Sequence, residues 1–166
     1  MPIICRLLGL EADAAADLVR DPSSLPAKVV ACNSHIEVYW FWHGIDYLLG
    51  QAEATPAVHC LRAGGTALPA AGNLPPSRLH APKQLQQIAN DLLEVAPEAL
   101  LSGYDPATMD AARIYPEQWA ELDEEHDILG DMLEHYSYMQ EFADQQAQQG
   151  RALLVLYERR EDETGF

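Results

Sequence analysis

The run Ala152-Leu153-Leu154-Val155-Leu156-Tyr157, set off by Gly150, constrains the fold of this 166-residue chain more than any other segment. Consecutive apolar residues over the length of a strand leave no wet face, so this strand must be buried on both sides. It belongs in the middle of a small sheet. Its natural partner is the apolar opening of the chain, Ile3, Ile4, Leu7 and Leu8.

Helical signals fill most of the interval between these strands. Glu11 to Val19 is alanine-rich with acids in its first turn, and Asp21-Pro22 stops it. Ser23 to Lys28 reads as a loop. In the aromatic segment Tyr39 to Gly50, residues Trp42, Ile45, Leu48 and Leu49 recur at helical spacing and predict a short buried helix. Thr55 to Arg62 fits helix or strand, and Gly64-Gly65-Thr66 is a turn. The proline-rich stretch from Ala67 to Pro82 reads as a long loop with one short edge strand near Arg78 to His80. Pro82 opens a helix with Leu85, Ile88, Ala89, Leu92 and Leu93 on one face, and Pro97 divides it from a short successor. Asp105-Pro106 caps a short helix to Arg113. From Glu124 to Gln149 the stripe Leu129, Met132, Tyr136, Met139 and Ala143 predicts one long helix, closed by Gly150. The expected class is α+β: a single compact domain over residues 1–158, with a small mixed sheet containing the N-terminal and C-terminal strands. Several helices pack on it, one of them long and C-terminal, and residues 159–166 form a charged, frayed tail.

Charge narrows the partners. Ten Lys and Arg face twenty-six Asp and Glu, a formal net charge of −16, which opposes binding to a phosphate backbone. Nucleic acid is therefore excluded as the expected partner. The acidity is local: residues 1–83 hold seven acids and six bases, whereas residues 84–166 hold nineteen acids and four bases. Glu121, Asp123, Glu124 and Glu125 crowd the entry of the long helix, and Asp127, Asp131, Glu134 and Glu141 are spaced to share one of its faces. Such a face attracts a basic protein.

Met1 to Leu10 lacks the charged lead and cleavage site of a secretory signal, and no apolar run approaches the roughly 20 residues of a membrane helix. Cys5, Cys32 and Cys60 are odd in number and widely spaced, as in a reduced cytoplasmic protein. A cytoplasmic setting without membrane contact is the expectation.

Chemistry-bearing motifs are sparse. Asp131 and His135 stand four apart beside His126, but no second helix supplies a matching Glu-x-x-His, so no metal site is assigned. The Gly64-Gly65 turn lacks the spacing and lysine of a phosphate loop, and no G-x-S-x-G occurs. No catalytic residue and no cofactor are assigned. Trp42, His43, Asp46 and Tyr47, with Tyr115 and Trp119, could instead line a pocket in which an imidazole sits among aromatics.

Five short motifs share an order with a known family: Trp42-His43-Gly44-Ile45 with Tyr47-Leu48-Leu49, the Gly64-Gly65-Thr66 turn, Leu79 to Pro82, Arg113-Ile114-Tyr115-Pro116, and Gly150 with Leu153-Leu154-Val155. In these the chain resembles the YfbM-like proteins, the bacterial DUF1877 family. The resemblance spans Ile3 to Tyr157. It implies a compact α+β fold in a cytoplasmic bacterial protein and supplies no activity.

Two functions are compatible with these features. One is a non-enzymatic interaction module whose acidic face covers a basic partner, for instance a toxin domain that it neutralises as an immunity protein. The other is a small-molecule binder or enzyme with its pocket around Trp42, His43, Tyr47 and Tyr115.

Overall fold

Strand β5 (Ala152–Arg159) alternates its side chains between two separate cores, as an all-apolar strand must. Leu153, Val155 and Tyr157 enter the larger core, while Ala152, Leu154 and Leu156 enter the smaller. The computed structural model describes residues 2–161. Strand β1 (Ile3–Leu10) lies beside β5 in a register that pairs Leu7 with Val155 and Leu8 with Leu154, so like faces meet across the ladder. Strand β2 (His35–Tyr39) flanks β1; strand β4 (Arg78–His80) flanks β5 on the other side and carries the two-residue strand β3 (Thr66–Ala67). The order is β2-β1-β5-β4-β3, which puts β5 in the middle.

Every pairing in the sheet is antiparallel, which corrects the expectation of a mixed sheet. Parallel neighbours need a crossover connection; here β1 and β2 are joined by two short helices, α1 (Ala12–Arg20) and α2 (Leu25–Ala31), and strand direction reverses. Those helices cover the smaller core with Ala15 and Leu18, together with the half-buried Leu25 and Val29. Helix α2 replaces the loop expected over Ser23 to Lys28: prolines in the first turns of a 3-10 turn (Pro22–Ser24) and of α2 start helical structure rather than prevent it.

The larger core lies between the other sheet face and helices α3 (Trp42–Gln51), α4 (Pro82–Leu93), α5 (Pro106–Ala111), α6 (Trp119–Glu125) and α7 (Ile128–Gln148). The predicted faces of α3 and α4 pack, with Trp42, Ile45, Leu48 and Leu49 buried on one and Leu85, Ile88, Ala89 and Leu92 on the other, but Leu93, expected on the same α4 face, is exposed at the end of the helix. Each fully buried leucine contributes roughly 1.5–3 kcal/mol. Strand β4 is not the edge, because β3 pairs outside it, and the turn before β3 needs glycine: a Cβ at Gly65, whose φ is 62°, would lie 2.5 Å from the Leu79 carbonyl oxygen.

The long C-terminal helix starts later than the periodicity suggests. Its stripe is buried as expected at Met132, Tyr136, Met139 and Ala143, but His126 is extended and Asp127 caps α7 by accepting the Gly130 amide at 3.0 Å. The acidic residues before that cap belong to the separate helix α6. At the other end of α4, the buried Gln140 amide donates to the carbonyls of Leu92 (2.7 Å) and Val95 (2.8 Å), and the Tyr136 hydroxyl donates to the same pair. These bonds fix α7 against the end of α4.

Strand β5 continues through Arg159, and the Arg160 guanidinium pairs with Glu37 at 2.7 Å and Glu158 at 2.8 Å. Residues 162–166 of the expected tail lie outside the described residues. Among the described residues no helix is long and apolar enough to cross a membrane.

Candidate functional site

The turn leaving β2 and the junction between α6 and α7 enclose a groove of about 500 Å³. Tyr39, Trp40 and Phe41 form one wall; Leu122, Ile128 and His135 continue the apolar lining; Glu121, Glu125 and Asp131 add three carboxylates. No lysine or arginine lines it among the described residues.

Local chemistry fixes both walls. Tyr39 holds a φ of 60°, which turns the chain sharply out of β2 and delivers three aromatic rings in succession. The Trp40 ring lies 4.2 Å from Phe41 and 5.4 Å from Trp119, so the aromatic wall rests on the start of α6. Trp119 is held in turn by its amide on the Asp110 carboxylate at 2.8 Å and by its indole N–H on the Ile114 carbonyl at 2.8 Å. Phe41 meets the His135 ring at 4.9 Å, closing the groove against α7.

Beside the three carboxylates, the polar lining of the groove comprises Gln118 and the imidazoles of His126 and His135. The His135 Nδ1–H donates to the Asp131 carbonyl 2.8 Å away, which leaves Nε2 of the neutral ring as an acceptor. Three exposed carboxylates and an imidazole lone pair beside aromatic faces suit a ligand rich in N–H donors and positive charge.

The eight acids singled out in the sequence have different tasks. Glu121 and Asp131 line the groove. Asp123 instead accepts the Tyr104 hydroxyl at 2.6 Å, and burial followed by that bond raises the Tyr104 pKa. Asp127 is the α7 cap. Glu134 accepts from the Tyr138 hydroxyl at 2.7 Å and Glu141 from the Gln145 amide at 3.2 Å, while Glu124 is exposed. Glu125 joins the groove, as do Tyr39, Trp40 and Phe41, which sequence reasoning did not connect with the acids. The positive φ at Tyr39 has no sequence signal of the glycine type. Among the described residues no group of three or more His, Cys, Asp or Glu side chains is arranged to hold a metal ion.

The second set of candidate residues packs mostly onto itself. Trp42 is sandwiched between His43 (5.2 Å) and Tyr115 (5.3 Å), with the Tyr157 ring edge-on, and its indole N–H donates to the Ile3 carbonyl at 3.0 Å. The Tyr115 hydroxyl accepts the Ile3 amide at 2.7 Å, so this stack anchors the start of β1. Trp119 is fully buried in a different part of the core, and Tyr47 packs half-buried against it. His43 Nδ1 accepts the Tyr115 amide at 3.0 Å, and its Nε2 lies 2.8 Å from the Arg62 guanidinium. Burial first and Arg62 second depress the His43 pKa to about 4, against the opposing pull of Asp46. Asp46 itself accepts from His59 Nδ1 at 2.8 Å. The arrangement holds His43 neutral and tethered.

The fold is one already seen. The crystal structure of a protein of unknown function, YfbM from Escherichia coli, superposes with a TM-score of 0.71 over 93% of this chain and 99% of that one, at 11% sequence identity. That likeness concerns the fold alone. No curated protein matches the chain. A family model described as a domain of unknown function, DUF1877, matches residues 1–156, nearly the full described length. The five ordered motifs and the antiparallel α+β architecture therefore have one source: the chain belongs to the DUF1877 family.

Proposed function

We propose that this chain is a binding module whose groove receives a cationic side chain, lysine or arginine, from a basic protein partner. The observation that carries the reading is the juxtaposition of the half-buried Tyr39 ring, backed by the buried Trp40 and Phe41, with Glu121, Glu125 and Asp131 around one open volume. A cation over an exposed ring gains about 0.5–1 kcal/mol and up to about 2 when water is excluded, while an exposed charge pair adds about 0–1. A few kcal/mol from one side chain corresponds to an affinity near millimolar, so tight binding needs the surrounding surface as well. The remaining acids of α6 and α7 then act chiefly on encounter rate and orientation.

In its finer form, the reading makes the partner a basic toxin domain and this chain the immunity protein that covers it in the cytoplasm. The net charge of −16 and the concentration of acids in the second half of the chain support that form, and three free cysteines fit a reducing compartment.

The test is a titration of the full chain with a short blocked peptide containing one arginine, set against the same peptide with citrulline, which keeps the shape and removes the charge. Binding of the arginine peptide that weakens several-fold in Asp131→Asn and in Glu121→Gln is the expected result. Equal binding of both peptides, or of the arginine peptide to all three proteins, would refute the reading.

A further inference from the structure

Two of the chain's ten basic side chains, Arg62 and Arg78, line one small pocket of about 100 Å³ that shares no lining residue with the acidic groove. Pro75 and Pro76 of the long loop wall it against Leu61 and Tyr157. Each proline ring fixes its own φ, which stiffens this side of the pocket. The space equals about three waters, enough for a compact tetrahedral group.

The arginines are positioned but short of acceptors. Arg78 spends one Nη1 hydrogen on the Gly64 carbonyl at 3.0 Å, which orients its guanidinium and leaves further donors. Arg62 is 45% exposed, and its Nη1 lies 2.8 Å from His43 Nε2. That contact is in conflict with the other end of the ring. His43 Nδ1 is 3.0 Å from the Tyr115 amide, a donor fixed by the backbone, so the neutral ring uses its single lone pair there and carries its proton on Nε2. A guanidinium N–H then faces an imidazole N–H. The nearest carboxylate oxygen, Asp46 Oδ2, is 3.7 Å away, while the other oxygen of that group serves His59. Arg62 thus has a donor surplus beside a pocket that already holds a second guanidinium.

We propose that the pocket between Arg62 and Arg78 is a binding site for a phosphate-sized oxyanion, either free or as the terminal phosphate of a larger molecule. The anion accepts from both guanidiniums, the planar donor forks that suit phosphate oxygens. It also draws Arg62 away from the His43 Nε2–H, which removes the donor-to-donor contact. The site is independent of the acidic groove and opposite to it in charge.

The test is an NMR titration of the full chain with inorganic phosphate at neutral pH, chloride being used to hold ionic strength constant. Saturable shifts at the Arg62 and Arg78 side-chain Nε–H resonances are expected, with His43 reporting the Nε2–H tautomer. Arg62→Gln, at an exposed position, should fold normally and weaken phosphate binding about tenfold or more. Arg62→Lys should retain part of the affinity. Shifts that never saturate, or that titrate identically in Arg62→Gln, would overturn the proposal. If free phosphate saturates the site, a phosphate monoester binding more tightly identifies the larger molecule as the natural form, and equal affinity identifies the free ion.

Discussion

Gly44 lies where Trp119 leaves no room for a side chain: a Cβ there would sit 2.5 Å from Trp119 Cη2 and 3.0 Å from the Met132 sulfur. Helix α3 thereby touches α6 and α7 at one point, and Trp119 in turn supports Trp40 in the groove wall. Alanine would favour the helix at Gly44 by about 1 kcal/mol on propensity, but overpacking costs about 1–3. Gly44→Ala is therefore expected to lower stability and Gly44→Val to lower it further, as read by urea unfolding. A Gly44→Ala protein more stable than the parent would show that the contact is loose.

Asp127 separates two accounts of the acidic surface. If its main task is capping α7, Asp127→Ala costs about 1 kcal/mol of stability, while Asp127→Asn preserves both the cap and cation binding. If charge at that position attracts the partner directly, Asn is as harmful to binding as Ala. Thermal unfolding and arginine-peptide titration of the two variants distinguish the cases, and the cap geometry predicts the first outcome.

The Tyr136 hydroxyl and the Gln140 amide share the carbonyls of Leu92 and Val95, so each covers for the other. Tyr136→Phe is expected to cost about 1 kcal/mol, because Gln140 still donates to both oxygens. Combining it with Gln140→Leu should exceed the sum of the single effects by at least about 0.5 kcal/mol. Strict additivity in a double-mutant cycle would mean that the bonds are independent.

Acid should weaken the fold partly through His43. An unfolded histidine takes up its proton near 6.5, the folded ring only near 4, so between these values the unfolded chain binds more protons and stability falls as pH falls. The contribution is fully present above 6.5 and is lost progressively on the way down to about 4. Removing the ring in His43→Gln should flatten the dependence of unfolding free energy on pH across that window. His80 is shifted in the same direction, first by burial, so some slope persists. An unchanged slope in His43→Gln would contradict the assignment.

Much of this architecture is written locally. The continuous apolar run of β5, the apolar faces of α3 and α4, and the Asp105 cap, which accepts the Thr108 amide at 3.2 Å, depend on neighbours within a turn or two and are readable from spacing. The boundary between α6 and α7 was hidden because Asp127 reads equally as one more acid on a helical face and as a cap. Strand β2 has the polar-apolar alternation of His35-Ile36-Glu37-Val38-Tyr39, a signal that a search for short strands could use. The groove itself was out of reach: its acids and its rings are far apart in the chain, and the sequence joined Tyr39 to Phe41 with their neighbour Trp42 instead. Only the fold turns Trp42 inward to brace β1 while Phe41 faces α7.

The position of a bound cation within the groove tests the central claim most directly. Isotope-filtered nuclear Overhauser spectra of the full chain with the arginine peptide should show contacts from the arginine methylenes to the ring of Tyr39, and Asp131→Asn should weaken them at equal peptide concentration. Contacts confined to residues outside the groove, with Tyr39 silent, would contradict the account.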